Sequence, residues 1–104
     1  MQVGLHTRLK PEAVERYEEY HRRVWPDVLE AIRRAGIARY LIFRYGLDLF
    51  HFIECDDYEA AIATLAKDPV NIRWQLEMAP MMAVAHDFSG KSSDRLPLIF
   101  DLDW

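Results

Sequence analysis

The chain has 104 residues, which predicts a single domain over residues 1–104 with a real but small core. The formal net charge is −4 and no basic tract exceeds an arginine pair, which argues against a nucleic-acid partner. Because there is no secretion-signal pattern and no long apolar run, we expect a cytoplasmic protein without a membrane segment. The one cysteine, Cys55, excludes an internal disulfide and a cysteine-based zinc site.

The first predicted elements are a strand and a long helix. Residues 2–9 alternate apolar with other side chains, which is typical of a strand. Pro11 predicts a helix start, because the missing N–H costs nothing in the first turn. The helix is expected to run to Arg34 with a kink at Pro26, and Gly36 predicts its end.

Two strands are predicted next, and the start of a helix follows them. Strands over residues 38–45 and 49–55 flank a tight turn at Gly46 and Asp48. The spacing of two acidic residues then resembles a capping box, with Asp56 as the cap.

The capping pattern, completed by Glu59, predicts a helix over about residues 58–66. An Asp-Pro pair at residues 68–69 predicts a second helix, which continues to about Met82. A polar loop over residues 86–95 then leads to a last predicted strand over residues 96–104.

The order β-α-β-β-α-β predicts an α+β fold, a ferredoxin-like plait with an antiparallel sheet and helices on one of its faces. Both sides of the predicted strands are largely apolar. We therefore expect two chains to pack as a homodimer over the open sheet face, as a dimeric α+β barrel.

The most informative stretch lies in the first helix. Tyr17, His21 and Trp25 are spaced four apart, so a helix places a phenol, an imidazole and an indole on one face, beside the break at Pro26. Polar-ligand sites use this combination more than cores do. Because an imidazole titrates near neutral pH, His21 is a candidate acid/base group. The alternative is a histidine that faces solvent or is satisfied within the core.

Residues 17–27 resemble the pattern Y-x3-H-x3-W-P-[DE] of the L-rhamnose mutarotase family. Further matches follow in order over nearly the whole chain: Pro11, Gly36 with Tyr40, the F-x-x-[VI]-E strand at residues 50–54, and Arg73 with Trp74. The resemblance implies a dimeric plait and an isomerase that acts on a small sugar. This enzyme interconverts the α and β anomers of L-rhamnose or a related 6-deoxy aldohexose by acid/base ring opening, without a cofactor.

The resemblance also implies roles for individual residues. His21 matches the general acid, and Tyr17 and Tyr40 match substrate-binding tyrosines. Trp74 would lie against the apolar face of the sugar. Where the family usually has a second tryptophan, this chain has Gln75, which either hydrogen-bonds a hydroxyl or points away. The structural alternative for the aromatic residues is core packing.

The base that takes the anomeric proton is left open between a tyrosine, a water molecule and His51. We favour packing for His51, because it lies mid-strand between two phenylalanines. A metal site is not expected, because the four histidines lie in different elements without ligand spacing. No glycine-rich phosphate-binding motif is present.

The rival function is a dimeric ferredoxin-like ligand-binding module, or a small-molecule monooxygenase, without mutarotase activity. Fold alone does not separate these functions. The discriminating feature is the register of Tyr17, His21 and Trp25 together with Tyr40 and Trp74, which a generic plait has no reason to carry.

Overall fold

The fold, seen in a computed structural model that describes residues 1–104, is an antiparallel sheet with helices packed on one face. In chain order the elements are β1 (Gln2–Leu9), α1 (Val14–Arg22), α2 (Pro26–Arg34), β2 (Ile37–Tyr45), β3 (Asp48–Cys55), α3 (Tyr58–Lys67), α4 (Pro69–Met78), β4 (Met82–Val84) and β5 (Arg95–Leu96). Short 3-10 turns at Pro11–Ala13 and Ala79–Met81 precede α1 and β4.

The strand order is β2-β3-β1-β4, with β5 pairing to β1 as well. Both β4 and β5 lie along the outer edge of β1, β4 opposite its end at Arg8 and β5 opposite Gly4 and Leu5. On the inner side, Leu5 lies opposite His51, and His51 lies opposite Ile42. This order is that of the expected plait, and the α+β fold class is confirmed.

Alternation along the strands separates a buried face from an open one. On β1, Val3, Leu5, Thr7 and Leu9 are all at most 2% exposed and pack under the helices. Their neighbours on β1 face the other way, as a period of two requires. The open face carries aromatic side chains, including Phe43, which is 60% exposed.

The predicted long helix is in fact two helices. α1 ends at Arg22, and α2 begins at Pro26 in its first position. Pro26 has no N–H to donate to the carbonyl of Arg22, and it also pushes Trp25 into an extended conformation, with φ −55° and ψ 131°. A full break therefore replaces the expected kink. Gly36, with φ +96°, follows α2 as predicted.

The cap predicted at Asp56 was wrong by one residue. Asp57 is the N-cap of α3, and its Oδ1 accepts the N–H of Ala60 at 3.1 Å. Asp68 caps α4 as predicted and accepts the N–H of Val70 at 2.9 Å. α4 ends at Met78, earlier than expected, because the chain turns there and forms β4.

The last predicted strand was also wrong. Within residues 96–104 only Leu96 pairs with β1, as the end of β5, and Pro97 follows it without an N–H for the ladder. The remaining residues are irregular and expose their large apolar side chains: Leu98, Ile99, Phe100, Leu102 and Trp104. None of the helices has the length and apolar character needed to cross a membrane.

Candidate active site

A cavity of about 370 Å³ lies between the helices and the buried face of the sheet. This volume is within the range of small-molecule sites. The five site residues predicted from the sequence all line it: Tyr17, His21, Tyr40, Trp74 and Gln75. Apolar side chains make up most of the remaining wall. The fold therefore brings together residues from α1, β2 and α4.

The α1 wall is formed by Tyr17 and His21, whose rings stack with their centroids 4.0 Å apart. The Nδ1 atom of His21 lies 2.8 Å from the carbonyl oxygen of Tyr17. A carbonyl oxygen only accepts, so Nδ1 carries the proton and donates it to this bond. Nε2 of His21 is therefore the nitrogen left for chemistry.

Burial shifts the pKa values of both titratable groups on this wall, His21 and Tyr17, toward their neutral forms. It lowers the pKa of His21, although the hydrogen bond to the Tyr17 carbonyl opposes the effect. Burial also raises the pKa of Tyr17 well above its usual value, so its hydroxyl stays neutral. At neutral pH the wall therefore presents mainly uncharged polar groups.

The two tryptophans beside the site meet edge to face, with ring centroids 5.1 Å apart. Trp74 is 5% exposed and also presents an edge-to-face contact to His21 at 5.6 Å. Trp25 lies behind Trp74 and does not line the cavity. Such aromatic pairs stabilise packing by about 1 kcal/mol. Trp25 thus supports Trp74 and His21.

The sheet wall contains a chain of three side chains. Tyr40 Oη lies 2.8 Å from Nδ1 of His51, and Nε2 of His51 lies 2.9 Å from Thr7 Oγ1. Burial lowers the pKa of His51 to about 3, so the ring is neutral, with one nitrogen donating and the other accepting. Burial also raises the pKa of Tyr40 well above its usual value. His51 is buried, as expected for packing, yet it also contacts the cavity.

On α4, Gln75 lies next to Asn71. Nε2 of Gln75 donates to Oδ1 of Asn71 at 3.3 Å, and Nδ2 of Asn71 donates to the Leu65 carbonyl at 3.0 Å. The Gln75 amide is thereby oriented by a neighbour that is itself fixed. Gln75 lines the cavity, and the side-chain oxygen has no protein partner.

Sequence reasoning missed His86, which lies in the loop after β4 and also lines the cavity. Its ring stacks on Phe88, with centroids 4.1 Å apart and planes 14° apart. Nδ1 of His86 lies 3.2 Å from Oδ2 of Asp94, although the angle does not make it a hydrogen bond. No local pattern marks this pair, because seven residues of loop separate its members.

Asp94 is buried and firmly held. Its Oδ2 accepts the N–H of Asp87 at 2.9 Å, and its carbonyl oxygen accepts the N–H of His6 at 2.8 Å. Burial alone would raise the pKa of Asp94, but the contacts with His86 and Asp87 outweigh it and hold the pKa below its usual value. The loop thus places an ionised carboxylate beside His86, which lines the cavity.

The fourth histidine lies outside the site. Nε2 of His6 contacts Oδ1 of Asp48 at 2.8 Å, on the open face of the sheet. No group of three or more His, Cys, Asp or Glu side chains is placed to hold a metal ion. The titratable groups that line the cavity are three imidazoles and two phenols, an arrangement suited to proton transfer on an uncharged polar ligand.

Comparisons with known proteins agree on one family. Residues 2–102 match a family model described as L-rhamnose mutarotase. The L-rhamnose mutarotase of Bacillus subtilis (strain 168) is 37% identical over 97 residues, covering 86% of this chain and 88% of the relative. That of Opitutus terrae is 35% identical over 89 residues, covering 84% of each.

Two solved structures share the fold. The L-rhamnose mutarotase FA22100 from Formosa agariphila superposes with a TM-score of 0.78, at 24% identity and 98% coverage of each chain. Tetracenomycin F2 cyclase from Streptomyces glaucescens superposes with a TM-score of 0.72, at 16% identity, covering 97% of this chain and 95% of the cyclase. At these identities the likeness concerns the fold alone.

Proposed function

This chain belongs to the L-rhamnose mutarotase family and is a sugar mutarotase, and we propose that its cavity opens and recloses the ring of L-rhamnose or a related 6-deoxy aldohexose. The observation that supports this most is His21, whose Nε2 is free inside a cavity that also holds Tyr17, Tyr40, Trp74 and Gln75. The rival ligand-binding or monooxygenase functions gain no support from the comparisons.

In the proposed reaction, His21 in its protonated form gives the proton on Nε2 to the ring oxygen. A base removes the proton of the anomeric hydroxyl at the same time, so the ring opens to an aldehyde. Rotation about the bond next to the aldehyde, followed by reclosure, yields the other anomer. General acid/base catalysis of this kind contributes about 10²–10⁴-fold, which suits a reaction that proceeds unaided in water.

The other site residues are proposed to hold the sugar. The hydroxyls of Tyr17 and Tyr40 stay neutral, so each can exchange hydrogen bonds with sugar hydroxyls. Trp74 offers apolar surface to the C–H bonds or methyl group of a 6-deoxy sugar. Gln75 offers an amide oxygen where the family usually has an indole, which argues for altered sugar selectivity, with L-fucose as a candidate.

The assembly is proposed to be a homodimer. The open face of the sheet carries Phe43 and Phe50, at 60% and 39% exposed, and the irregular tail over residues 97–104 exposes further apolar side chains. Apolar patches of this kind are typical of interfaces. The cytoplasmic location also stays a prediction.

Saturation-transfer NMR on L-rhamnose, L-fucose and several unmodified hexoses tests the function directly. We expect the protein to accelerate anomer exchange of at least one 6-deoxy sugar, and Gln75→Trp to shift the preference toward L-rhamnose. A wild-type protein that already strongly prefers L-rhamnose would remove the argument for altered selectivity. Exchange rates equal to those in buffer for every sugar would contradict the proposed function.

A further inference from the structure

The proposed reaction needs two proton-transfer groups, and His21 supplies only one. Five titratable side chains line the cavity: Tyr17, His21, Tyr40, His51 and His86. A water molecule is one alternative for the second group, and the side-chain candidates are the remaining two tyrosines and two histidines. For three of these four side chains, the structure gives a reason why the protonation state does not change at neutral pH.

The two tyrosines are poor candidates. Burial raises the pKa of both Tyr17 and Tyr40 well above the usual value, so neither hydroxyl loses its proton at neutral pH. Tyr40 is also already engaged with Nδ1 of His51 at 2.8 Å. Both side chains suit hydrogen bonding to the sugar rather than net proton transfer.

His51 is also a poor candidate, because both of its ring nitrogens are occupied. One contacts Tyr40 and the other contacts Thr7, at 2.8 and 2.9 Å. Burial and the nearby His86 hold the pKa of His51 at about 3, so it does not take up a proton at neutral pH. His51 instead fixes where the Tyr40 hydroxyl lies.

His86 differs from His51 in its hydrogen-bond contacts. Nε2 of His86 has no hydrogen-bond partner in the protein, and the ring lines the cavity. Nδ1 is buried without a hydrogen bond, 3.2 Å from the Asp94 carboxylate, whose Oδ1 is also buried and unpaired. Nδ1 is already within reach of Oδ2 of Asp94, and such contacts often align only when substrate binds.

Asp94 gives His86 the features of a base. The carboxylate side chain is only 1% exposed, so its charge is little screened by water. A carboxylate that accepts from Nδ1–H sets the tautomer that leaves Nε2 as the acceptor, and it stabilises the imidazolium that forms. Phe88, stacked on the ring, restricts its other motions.

The imidazoles of His21, His51 and His86 line the same cavity. The rings of His51 and His86 are 5.9 Å apart, edge to face. His21 lines the same cavity from α1, so the imidazoles of His21 and His86 border one space. A sugar ring between them presents its ring oxygen and anomeric hydroxyl on a single carbon, so two imidazoles on different walls suffice.

We propose that His86, oriented by Asp94, accepts the proton of the anomeric hydroxyl while His21 donates to the ring oxygen. This inference rests on the proposed function of the same cavity. The C1–O5 bond breaks, its electron pair goes to O5, and O5 takes the proton from Nε2 of His21. The O1–H electron pair becomes the second bond of the carbonyl, and that proton goes to Nε2 of His86. Ring closure reverses both transfers.

The first test is His86→Gln, which keeps polar volume but cannot take up a proton. We expect the exchange rate at saturating sugar to fall by about 10²–10⁴-fold, with little change in KM. The matched control is His6→Gln, the same change on the open face of the sheet, which should leave exchange unchanged. A folded His86→Gln protein that exchanges anomers at the wild-type rate would overturn the proposal.

The second test separates positioning by Asp94 from a purely structural role. Asp94→Asn should lower kcat by roughly tenfold, while Asp56→Asn, the same change at an exposed aspartate outside the cavity, should have little effect. If Asp94 acts through His86, the double variant with His86→Gln loses no more activity than His86→Gln alone. Fully additive losses would show that Asp94 acts independently of His86.

A third measurement needs no variant, and so stands even if the substitutions prevent folding. Nitrogen-15 NMR of the wild-type protein with bound sugar should show His86 protonated on Nδ1 in its neutral form. Protonation on Nε2 instead would overturn the proposal. If wild-type protein exchanges no sugar, the proposed function fails; if it exchanges sugar and only the His86 results disagree, this inference alone fails.

Discussion

At the scale of single residues, one backbone hydrogen bond decides which atom of His21 can react. Because Nδ1 of His21 donates to the carbonyl oxygen of Tyr17 at 2.8 Å, the imidazole has Nε2 free on the side of the cavity. The stacked ring of Tyr17 and the edge of Trp74 then limit ring rotation. In the proposed reaction, a proton carried on Nε2 is therefore delivered in one direction.

His21→Ala should lower the enzyme-catalysed exchange rate by about two to four orders of magnitude. The fold should survive, because the half-buried imidazole contributes little apolar area. Saturation-transfer NMR measures the rate, and circular dichroism checks the fold. Tyr40→Phe is the comparison, since it deletes one hydroxyl and should mainly raise KM. Unfolding of His21→Ala would favour a structural role, and an unchanged rate would exclude His21 as the acid.

The buried, neutral His51 predicts a loss of stability in mild acid. Its pKa is lowered from 6.5 to about 3 by burial, so the unfolded chain takes up the proton before the folded chain does. Stability is therefore complete above about pH 6.5 and falls as the pH drops toward 3. At pH 5 the expected loss from this one group is about 2 kcal/mol.

Urea unfolding at pH 7 and pH 5 measures this loss. His51→Gln, which has no proton to gain, should show a smaller difference between the two pH values than the wild type. Carboxylates with lowered pKa values, such as Asp48, lose their stabilising contribution at lower pH, below about 4, so they do not obscure the comparison. Equal pH dependence in both proteins would show that His51 is not buried in its neutral form.

The predictable part of the site lies on regular elements. Tyr17 and His21 are one helical turn apart, and the pattern around them was readable from spacing and from the family resemblance. His86 and Asp94 were not, because their contact depends on how the loop closes. Asp94 is held near His86 partly because its carbonyl oxygen accepts the N–H of His6 on β1, a contact with no local sequence signal.

At the scale of elements, adjacent aspartates offer a test of helix capping. Asp57→Ala should destabilise the protein by about 1 kcal/mol, because Oδ1 of Asp57 accepts the N–H of Ala60 at the start of α3. Asp56→Ala is the matched control and should change stability by less than about 0.5 kcal/mol, since Asp56 is exposed and caps nothing. Urea midpoints measure both. A larger loss for Asp56→Ala would contradict the assignment of the cap.

Helices and inner strands were predictable where local chemistry and burial agree. β1 and β3 alternate buried and open positions, so their pattern carries the signal. The tail after Pro97 is as apolar as a strand, yet it finds no partner within the chain. Composition alone does not distinguish a strand from an irregular apolar segment whose side chains are exposed in the single chain.

At the scale of the whole molecule, the open sheet face predicts how the chain assembles. Phe43→Arg places a charge in the middle of the aromatic face and should convert a dimer into monomers at micromolar concentration, because an unpaired charge is costly to bury. Leu76→Arg is the control, on the outer side of α4 at 68% exposed, and should leave the dimer intact.

Analytical ultracentrifugation distinguishes the two assembly states. A wild-type protein that is monomeric at micromolar concentration would contradict the proposed homodimer. Dissociation by Leu76→Arg but not by Phe43→Arg would place the interface on the helical side instead.

The edge-to-face pair of Trp25 and Trp74 also means that the candidate site can be followed by tryptophan fluorescence. Trp104 is 78% exposed, so its emission lies at longer wavelength than that of the two indoles beside the cavity. In the single chain, the short-wavelength emission is therefore expected to come mainly from the indoles of Trp25 and Trp74. Since His21 touches Trp74 with its ring at 5.6 Å, a positive charge on that imidazole withdraws electron density from the excited indole and dims it. The fluorescence of the unlabelled protein is therefore expected to respond to the charge on His21 and to sugar binding in the proposed site.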